Sequence, residues 1–204
     1  MPTVNFNFPD IHQGTPFLYV LPGGPPAANT PLIIDANGNP PGTSQPFFMG
    51  SSQAPCTFHV SYKSEKIEID QETAPVDALM TAEDAYIEMV LKEMDLLKVN
   101  FALPHVQYSA GSNASLPTGV QNYQMMTFGG LATIPKYAVC LISPRRGTNN
   151  TKFFVGCLYN AFASDPFQID ITRTKESLYK VRFNGLALPS RPLQDRVGQW
   201  YRQL

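Results

Sequence analysis

A chain of 204 residues has room for one domain of ordinary size with a sizeable core. Only 15% of the residues are charged and 19 are proline, whereas charged residues are about 25% of typical soluble proteins; this composition favours a subunit whose surface is largely covered by neighbours, although a loop-rich β protein has a similar one. The longest apolar run, Tyr137 to Ile142, is far too short to span a membrane, and the polar stretch Met1 to Asn5 does not resemble a signal peptide, so membrane insertion is not expected.

The net charge of -1 hides an asymmetry along the chain. Residues 1–95 hold 12 acidic and 3 basic side chains, whereas residues 96–204 hold 4 acidic and 12 basic ones. Any single charge is best explained as part of a solvated face. The distribution as a whole favours a subunit with one acidic and one basic end, which suits head-to-tail association.

The N-terminal segment, residues 1–57, contains eleven of the nineteen prolines. Because proline fixes φ and cannot donate a ladder hydrogen bond, we expect an extended segment with short strands at 15–21 and 32–34. Its many aromatic side chains need a surface to lie on, so it should pack on its own domain or on a neighbouring subunit. Asn37 and Gly38 form a dipeptide typical of a tight hairpin turn.

A strand with one buried face is predicted from residue 58 onward. Phe58, Val60 and Tyr62 alternate with polar residues, and Ile67 and Ile69 do the same. The apolar residues change from even to odd positions between these two runs. We therefore predict a turn or a bulge at residues 64–66 that re-aims the strand.

A return strand and a helix are predicted to follow. One face of the return strand carries Ala85, Ile87, Met89 and Leu91, and the opposite face carries Glu88. The two strands should pair antiparallel through the loop that contains Pro75. A helix is expected at residues 94–103, because Asp95 is a favoured capping residue and Pro104 ends the helical run. Apolar residues of the helix, namely Leu96, Leu97, Val99 and Phe101, are expected to be buried.

Beyond the helix, residues 108–119 are rich in Gly, Ser and Asn and predict a surface loop. Two strands at 136–143 and 152–159 then form a long-looped hairpin. Arg145 and Arg146 lie at the predicted tip of that hairpin, where arginine side chains are usually solvated.

The C-terminal part predicts a second hairpin, in which apolar residues alternate with polar ones at 167–172 and 179–183. Residues 192–204 are expected to form a short helix or an arm docked on the sheet. The fold class is therefore mainly β, an antiparallel sandwich or partly closed barrel with one flanking helix. We divide the chain into an N-terminal arm, residues 1–57, and one β domain, residues 58–204.

The sequence gives no pattern for catalysis or for a cofactor. It contains no GxSxG, no Walker loop and no GxGxxG, and its three histidines are isolated. Cys56, Cys140 and Cys157 have no CxxC spacing, so we expect buried, reduced thiols rather than a disulfide framework or a zinc site. We predict no enzyme activity, no catalytic residue, no cofactor and no metal.

The run Ile69–Asp77, followed by a strand and then by the leucine-bearing helix, resembles the tail tube (major tail) protein of long-tailed bacteriophages. In that family a strand ending in Asp-Gln, a Pro-containing loop, a long return strand and a flanking helix recur in this order. The close resemblance covers roughly a quarter of the chain.

The resemblance implies a structural subunit of the virion, assembled in the host cytoplasm, that forms stacked hexameric rings around the channel for DNA ejection. The implied partners are the chain itself, other tail proteins such as the tape measure, terminator and baseplate proteins, and genomic DNA that passes without specific binding. Combined with the alternation of the two strands, the resemblance implies that Glu65, Lys66, Glu68 and Glu88 are candidates for channel-facing residues. The candidates for contacts between subunits or rings are Glu72, Asp77, Leu97, Phe101, Arg145 and Arg146.

Two other readings remain open. A tail, baseplate or capsid decoration protein of related fold would share most of these features, but it would stop at rings or monomers. A β-sandwich carbohydrate-binding module would need an exposed row of aromatic residues on one sheet face, whereas most aromatic residues here fall on the apolar phase of the strands.

Overall fold

The computed structural model describes residues 15–41, 46–52, 55–68, 74–92, 95–103, 105–115, 117, 122–130, 133–145, 152–165 and 178–204. Ten strands and one short helix lie in these ranges. In chain order they are β1 (Phe17–Leu21), β2 (Phe47–Ser51), β3 (Thr57–Ile67), β4 (Asp77–Leu91), α1 (Leu96–Ala102), β5 (Val106–Ser112), β6 (Asn122–Phe128), β7 (Tyr137–Pro144), β8 (Phe153–Ala163), β9 (Tyr179–Gly185) and β10 (Gly198–Arg202). The predicted mainly β class, with antiparallel sheets and one helix, is confirmed.

One large antiparallel sheet has the strand order β2-β1-β7-β8-β9-β4-β3. Strand β8 is the branch point: one of its edges pairs with β7, while the other pairs with β10 along residues 154–158 and with β9 along residues 161–163. An isolated bridge between Ser52 and Leu91 connects the end of β2 to the end of β4. Strands β5 and β6 form a separate two-stranded sheet.

The central strands of the large sheet are buried on both faces, which is why five consecutive residues of β7, from Ala138 to Ile142, are all inaccessible. On the inner face an apolar cluster joins β1, β4, β7, β8 and β9. Its largest members include Leu18, Ile87, Met89, Leu158 and Phe183. The predicted buried face of the return strand is thus confirmed.

On the outer face a second cluster forms around Cys140, Ile142 and Val155. Leu32 and Ile34 from the N-terminal segment cover it, so residues 22–41 pack on their own domain. The short strand predicted at 32–34 is wrong: these residues make no ladder, and they contribute two buried side chains, Leu32 and Ile34, while Ile33 is exposed. The turn predicted at Asn37 and Gly38 is confirmed, with Gly38 at φ +87°, although no strands flank it.

The close approach of β3 and β10 depends on a glycine in β8. A Cβ atom at Gly156 would lie 2.6 Å from the ring of Phe58 and 2.8 Å from that of Trp200. Because Gly156 has no Cβ atom, the Phe58 and Trp200 rings can pack over the inner face of β8 with their centroids 4.9 Å apart. This aromatic pair ties the edge strand β3 to the C-terminal strand.

Strands β3 and β4 pair antiparallel, as predicted, with one irregularity close to the predicted place. Lys63 pairs with Ala82 but Ser64 pairs with Met80, so Thr81 is the extra residue, and its hydroxyl donates to the Lys63 carbonyl at 3.3 Å. The bulge therefore lies in β4 and leaves the alternation of β3 unbroken.

Two expectations about β3 are wrong as a result. Ile67 was expected on the same buried face as Ile87, but unbroken alternation puts it on the opposite face, and it is exposed. Val60 and Tyr62 were expected to be buried, yet Tyr62 is 69% exposed. The reason is that β9 pairs with β4 only from residue 86 onward, so the hairpin projects beyond the body of the domain.

Helix α1 lies inside the predicted range 94–103 and begins with the predicted cap: the Asp95 carboxylate accepts a hydrogen bond from the Leu97 N–H at 3.1 Å. Val99 is buried, whereas Leu96, Leu97 and Phe101 are half-buried in the single chain. Of the four side chains expected to be buried, Val99 is the one that the single chain buries, while the other three keep partly exposed surface that a neighbouring subunit would have to cover. The ring of Phe101 packs on Phe47 and Tyr137, with centroid distances of 4.8 and 5.1 Å.

These contacts predict unequal roles for the two helix residues proposed at an interface. We expect Phe101→Ala to lower the free energy of unfolding by about 2 to 3 kcal/mol, because it removes two ring contacts from a partly enclosed side chain. Leu97→Ala should cost only about 1 kcal/mol in the monomer. Urea denaturation of the two variants checks this, and equal losses would contradict the packing described.

Of the predictions for the remaining elements, some are confirmed and others need correction. The hairpin of β7 and β8 is confirmed, and residues 198–202 form a docked strand rather than a helix. The surface loop predicted at 108–119 begins too early, because β5 runs to Ser112 and pairs with β6; the described residues beyond it, 113–115 and 117, are exposed and lie outside any strand, as predicted. Strand β9 matches the predicted strand at 179–183, whereas its predicted hairpin partner at 167–172 lies outside the described residues.

Candidate assembly surfaces

The distal part of the β3–β4 hairpin, residues 61–68 and 74–84, forms a two-stranded projection that we call the hairpin extension. All but one of its residues are exposed, and Ser61 is half-buried. Among them are large apolar side chains, namely Tyr62, Ile67, Val76, Leu79 and Met80, and Met80 is 62% exposed. A two-stranded ribbon is at best marginally stable alone in water, and exposed apolar patches usually mark interaction sites.

The predicted channel-facing residues do not all share one face. Thr57 pairs with Glu88, and alternation along β3 puts Glu65 on the same face as Glu88. The neighbouring Lys66 points to the opposite face. Glu68 is exposed just beyond the end of β3. Glu65 and Glu88 are therefore the two members of the set that one surface can present together.

Glu88 is not an isolated acidic group. Its carboxylate lies 3.0 Å from the Lys180 ammonium on β9, and Asp165 lies 3.6 Å from the same ammonium. The hydrogen bond from Lys180 to Glu88 is the main reason why the pKa of Lys180 is raised, with the charges of both carboxylates adding to it. This part of the surface is close to charge balance, whereas the sequence predicted an acidic strand pair.

An aromatic and cationic stack lies beside that ion pair. The His59 and Tyr86 rings stack at 4.5 Å, and the Arg182 guanidinium lies 3.8 Å from the Tyr86 ring centroid. Arg182 Nε also donates to the Asn184 side chain at 3.2 Å. Together with Glu88 and Lys180, these side chains form a continuous polar surface on β3, β4 and β9, which we call the polar band.

The interface residues on the β7–β8 side are placed differently from the prediction. Arg145 is only 5% exposed: its guanidinium donates to the Gln203 carbonyl and lies 5.5 Å from the Phe154 ring centroid. Its predicted position at a solvated hairpin tip is therefore wrong, because the C-terminal residues cover it. Arg146 lies outside the described residues.

On the acidic side, Asp77 begins β4 and is exposed. Its carboxylate accepts a hydrogen bond from the Ala78 N–H at 2.7 Å. Glu72 lies outside the described residues. Asp77 is thus the one predicted acidic interface residue for which the structure gives a position, and that position is in the hairpin extension.

A shallow basic cleft lies at the C-terminal end of the domain, with a volume of about 580 Å³. Its lining combines exposed apolar residues, chiefly Ile33 and Leu204, with the cationic side chains of Lys152 and Arg202. The sequence pattern did not indicate this cleft, because its residues come from three distant parts of the chain. Its charge is opposite to that of the hairpin extension.

The β5–β6 hairpin offers another apolar surface. It packs on α1 through Val99, Leu103, Val106 and Met126, while Tyr123, Met125 and Phe128 are exposed. This second exposed ribbon also requires a partner surface to shield its apolar side chains.

A buried ion pair fixes the N-terminal segment to the C-terminal residues. Arg191 lies 2.8 Å from Asp195, stacks on the Tyr159 ring at 3.6 Å and donates to the Pro26 carbonyl. The Asp195 carboxylate also accepts hydrogen bonds from the Tyr159 hydroxyl and from the Asn29 N–H. Burial alone would raise the pKa of Asp195, but these hydrogen bonds and the Arg191 charge hold it below the usual value. Burial and the bond to Asp195 raise the pKa of Tyr159.

The described ranges give no support for a metal site or for a membrane-spanning helix. No group of three or more His, Cys, Asp or Glu side chains there is arranged to hold a metal ion. No helix in these ranges is long and apolar enough to cross a membrane. Comparison of the chain with protein-family models and with curated proteins found no match to either.

Proposed function

We propose that this chain is a tail tube subunit of a long-tailed bacteriophage, which closes into hexameric rings that stack head-to-tail around a channel for DNA. The observation that carries the proposal is the hairpin extension. It exposes apolar side chains on a two-stranded ribbon whose edges no other described strand pairs with, which is costly for a free monomer and suits a subunit that is covered on assembly.

The course of the large sheet supports a tube-like, partly closed barrel. The bridge between Ser52 and Leu91 connects β2 with β4, two strands near opposite ends of the sheet order. The inner cluster then fills the space between them. A subunit of this shape leaves β3 as an edge strand, and within the described residues no strand pairs with its outer edge. Pairing around a closed ring removes such edges.

Charge supports head-to-tail stacking. In the described residues, the hairpin extension carries five carboxylates and two lysines; the acids are Glu65, Glu68, Asp77, Glu83 and Asp84. The cleft with Lys152 and Arg202 has the opposite charge and comparable apolar character. We propose that the extension of one subunit docks near this cleft of the next, which replaces the contact with Arg145 expected from the sequence.

Negative-stain electron microscopy of the purified protein tests the proposal. A tail tube subunit should form long tubes of uniform diameter, and raising the salt toward 1 M should slow their growth because it screens the charged contacts. Rings without tubes would instead indicate a baseplate or decoration protein. Monomers at every concentration, together with consistent hits on a glycan array, would favour the carbohydrate-binding module.

The polar band predicts an effect on DNA passage. Glu88→Lys is expected to leave tubes intact and to slow DNA ejection, because each ring would then present added cations to phosphate in place of the Glu88–Lys180 ion pair. Ejection from assembled particles at low salt measures this. Glu88→Gln is the matched control, since it removes the same carboxylate from the ion pair with Lys180 without adding a cation. Equal slowing by the control would contradict the assignment of the channel face.

A further inference from the structure

Two of the three cysteines meet in the centre of the sheet. Cys140 on β7 is the direct cross-strand partner of Cys157 on β8, and their sulfur atoms are 2.7 Å apart. Non-bonded heavy atoms are normally about 3.5 to 4.0 Å apart at their optimum. Directly opposed residues of antiparallel strands have Cα atoms about 4.5 to 5.5 Å apart, which lies inside the range that a disulfide spans.

The surroundings of this pair are apolar and closed. Both cysteines are fully buried in the outer cluster, beneath the N-terminal segment and Tyr201 of β10. The Tyr201 hydroxyl is the one buried side-chain oxygen or nitrogen within the described ranges that lacks a hydrogen-bond partner. Burial raises the pKa of Tyr201, and the negative charge that Cys140 and Cys157 would carry as thiolates raises it further, since both sulfur atoms lie nearby. The outer cluster thus places the Tyr201 hydroxyl, a hydrogen-bond donor without a partner among the described residues, near the two sulfur atoms.

The third cysteine cannot join the pair. Cys56 packs against the inner cluster, on the other side of the sheet, and is partly accessible. Among the described residues no third His, Cys, Asp or Glu joins this pair, whereas structural zinc needs four ligands, so the described part of the chain gives no support for a zinc site here. The cross-strand partner is therefore the one thiol that each of Cys140 and Cys157 can reach.

We propose that Cys140 and Cys157 form a cross-strand disulfide when the protein folds in the presence of a small-molecule disulfide. One cysteine, as its thiolate, attacks the reagent and gives a mixed disulfide with release of one small thiol. The second cysteine then attacks the protein sulfur of that mixed disulfide and releases the second small thiol. The protein loses two electrons and two protons, and the reagent gains them.

The burial of Cys140 and Cys157 determines the stage of folding at which the disulfide can form. In the folded protein the pair is inaccessible, and burial also raises the pKa of Cys140, which disfavours the attacking thiolate. The bond should therefore form before residues 22–41 and β10 cover β7 and β8. This inference does not depend on the proposed function, because it concerns only the register of two strands.

Oxidative refolding tests the proposal. The full chain is refolded in a glutathione redox buffer, denatured and alkylated, and the mass of the intact protein is then measured by mass spectrometry. We expect one alkylated cysteine instead of three, a mass about 2 Da lower before alkylation, and Cys140 linked to Cys157 in the peptide map. The melting temperature should rise by roughly 6 to 12 °C over the reduced form, because the bond closes a loop between residues 17 positions apart.

Cysteine variants provide the controls. Cys56→Ser should still lose two thiols, whereas Cys140→Ser and Cys157→Ala should retain both remaining thiols and show no oxidant-dependent shift in melting temperature. Three alkylated cysteines in the oxidised wild-type protein would overturn the proposal. A disulfide through Cys56, or a thermal shift that persists in Cys140→Ser, would overturn it as well.

Discussion

Shortening the β3–β4 hairpin at its bulge is expected to give a folded protein that no longer assembles. Lys63 would be joined to Ala82, its cross-strand partner, through an Asn-Gly turn, which replaces residues 64–81. The described side chains in that range are all exposed, so the core is untouched and the melting temperature should change by only a few degrees. Sedimentation velocity and negative-stain microscopy should find monomers of the shortened chain under conditions in which we propose that the full chain forms tubes.

A milder double variant separates the effect of losing apolar contacts from the effect of shortening the chain. Leu79→Ser with Met80→Ser keeps the hairpin but removes two exposed apolar side chains, and it should raise the protein concentration required for assembly at least tenfold if each contributes about 1 kcal/mol. Ile134→Ser with Leu193→Ser is the matched control, because it removes two exposed apolar side chains that lie outside the named surfaces. Normal tubes from the shortened chain would show that the hairpin extension is not part of the assembly contact.

Arg191→Ala is expected to be the most destabilising single change outside the apolar core. It removes the cation from a partly buried ion pair and leaves the Asp195 carboxylate without its charge partner. Complete loss of a buried partner typically costs about 3 to 5 kcal/mol; we expect about 2 to 4 kcal/mol because Asp195 retains some contact with solvent. Lys136→Ala, at an exposed cation, should have little effect in the same urea titration.

The same ion pair predicts acid sensitivity of a defined sign. Because the folded-state pKa of Asp195 lies below its unfolded value of about 3.9, this group stabilises the fold above about pH 4 and its contribution is lost as the pH falls through the folded-state value. Asp195→Asn should remove that part of the pH dependence. An unchanged acid-denaturation curve in this variant would contradict the role of the pair.

Local patterns predicted the elements whose signals are local. The Asp95 cap, strand β1, the hairpin of β7 and β8 and the buried face that contains Ile87 all depend on neighbouring residues, and the structure confirms them. The β5–β6 hairpin was missed because the second half of β5, residues 109–112, reads Ser-Ala-Gly-Ser, which is typical of a loop. At Gly111, for example, a Cβ would come within 3.1 Å of Tyr123 on the partner strand, so the glycine serves packing across the hairpin rather than a loop.

The candidate surfaces were harder to predict because they depend on contacts distant in sequence. The burial of Arg145 is caused by the C-terminal residues, and the neutralisation of Glu88 by Lys180 on another strand. In the same way, nothing in their spacing pairs Cys140 with Cys157, since only the strand register brings them together. The bulge at Thr81 shows the same limit: alternation predicted an irregularity near this place, but not which strand contains it.

The pairing of β1 with β7 has a consequence for the order of events during synthesis. Phe17 pairs with Ile142, and the Asn29 N–H bonds to Asp195, which is 166 positions further along the chain. Strand β1 therefore waits for one of its two partners until β7 has been synthesised, and residues 22–41 wait for Asp195; such non-local topologies fold slowly. During this delay the apolar hairpin extension can already meet other copies. Under the proposed function, correct assembly thus requires that the sheet close faster than nascent chains encounter one another.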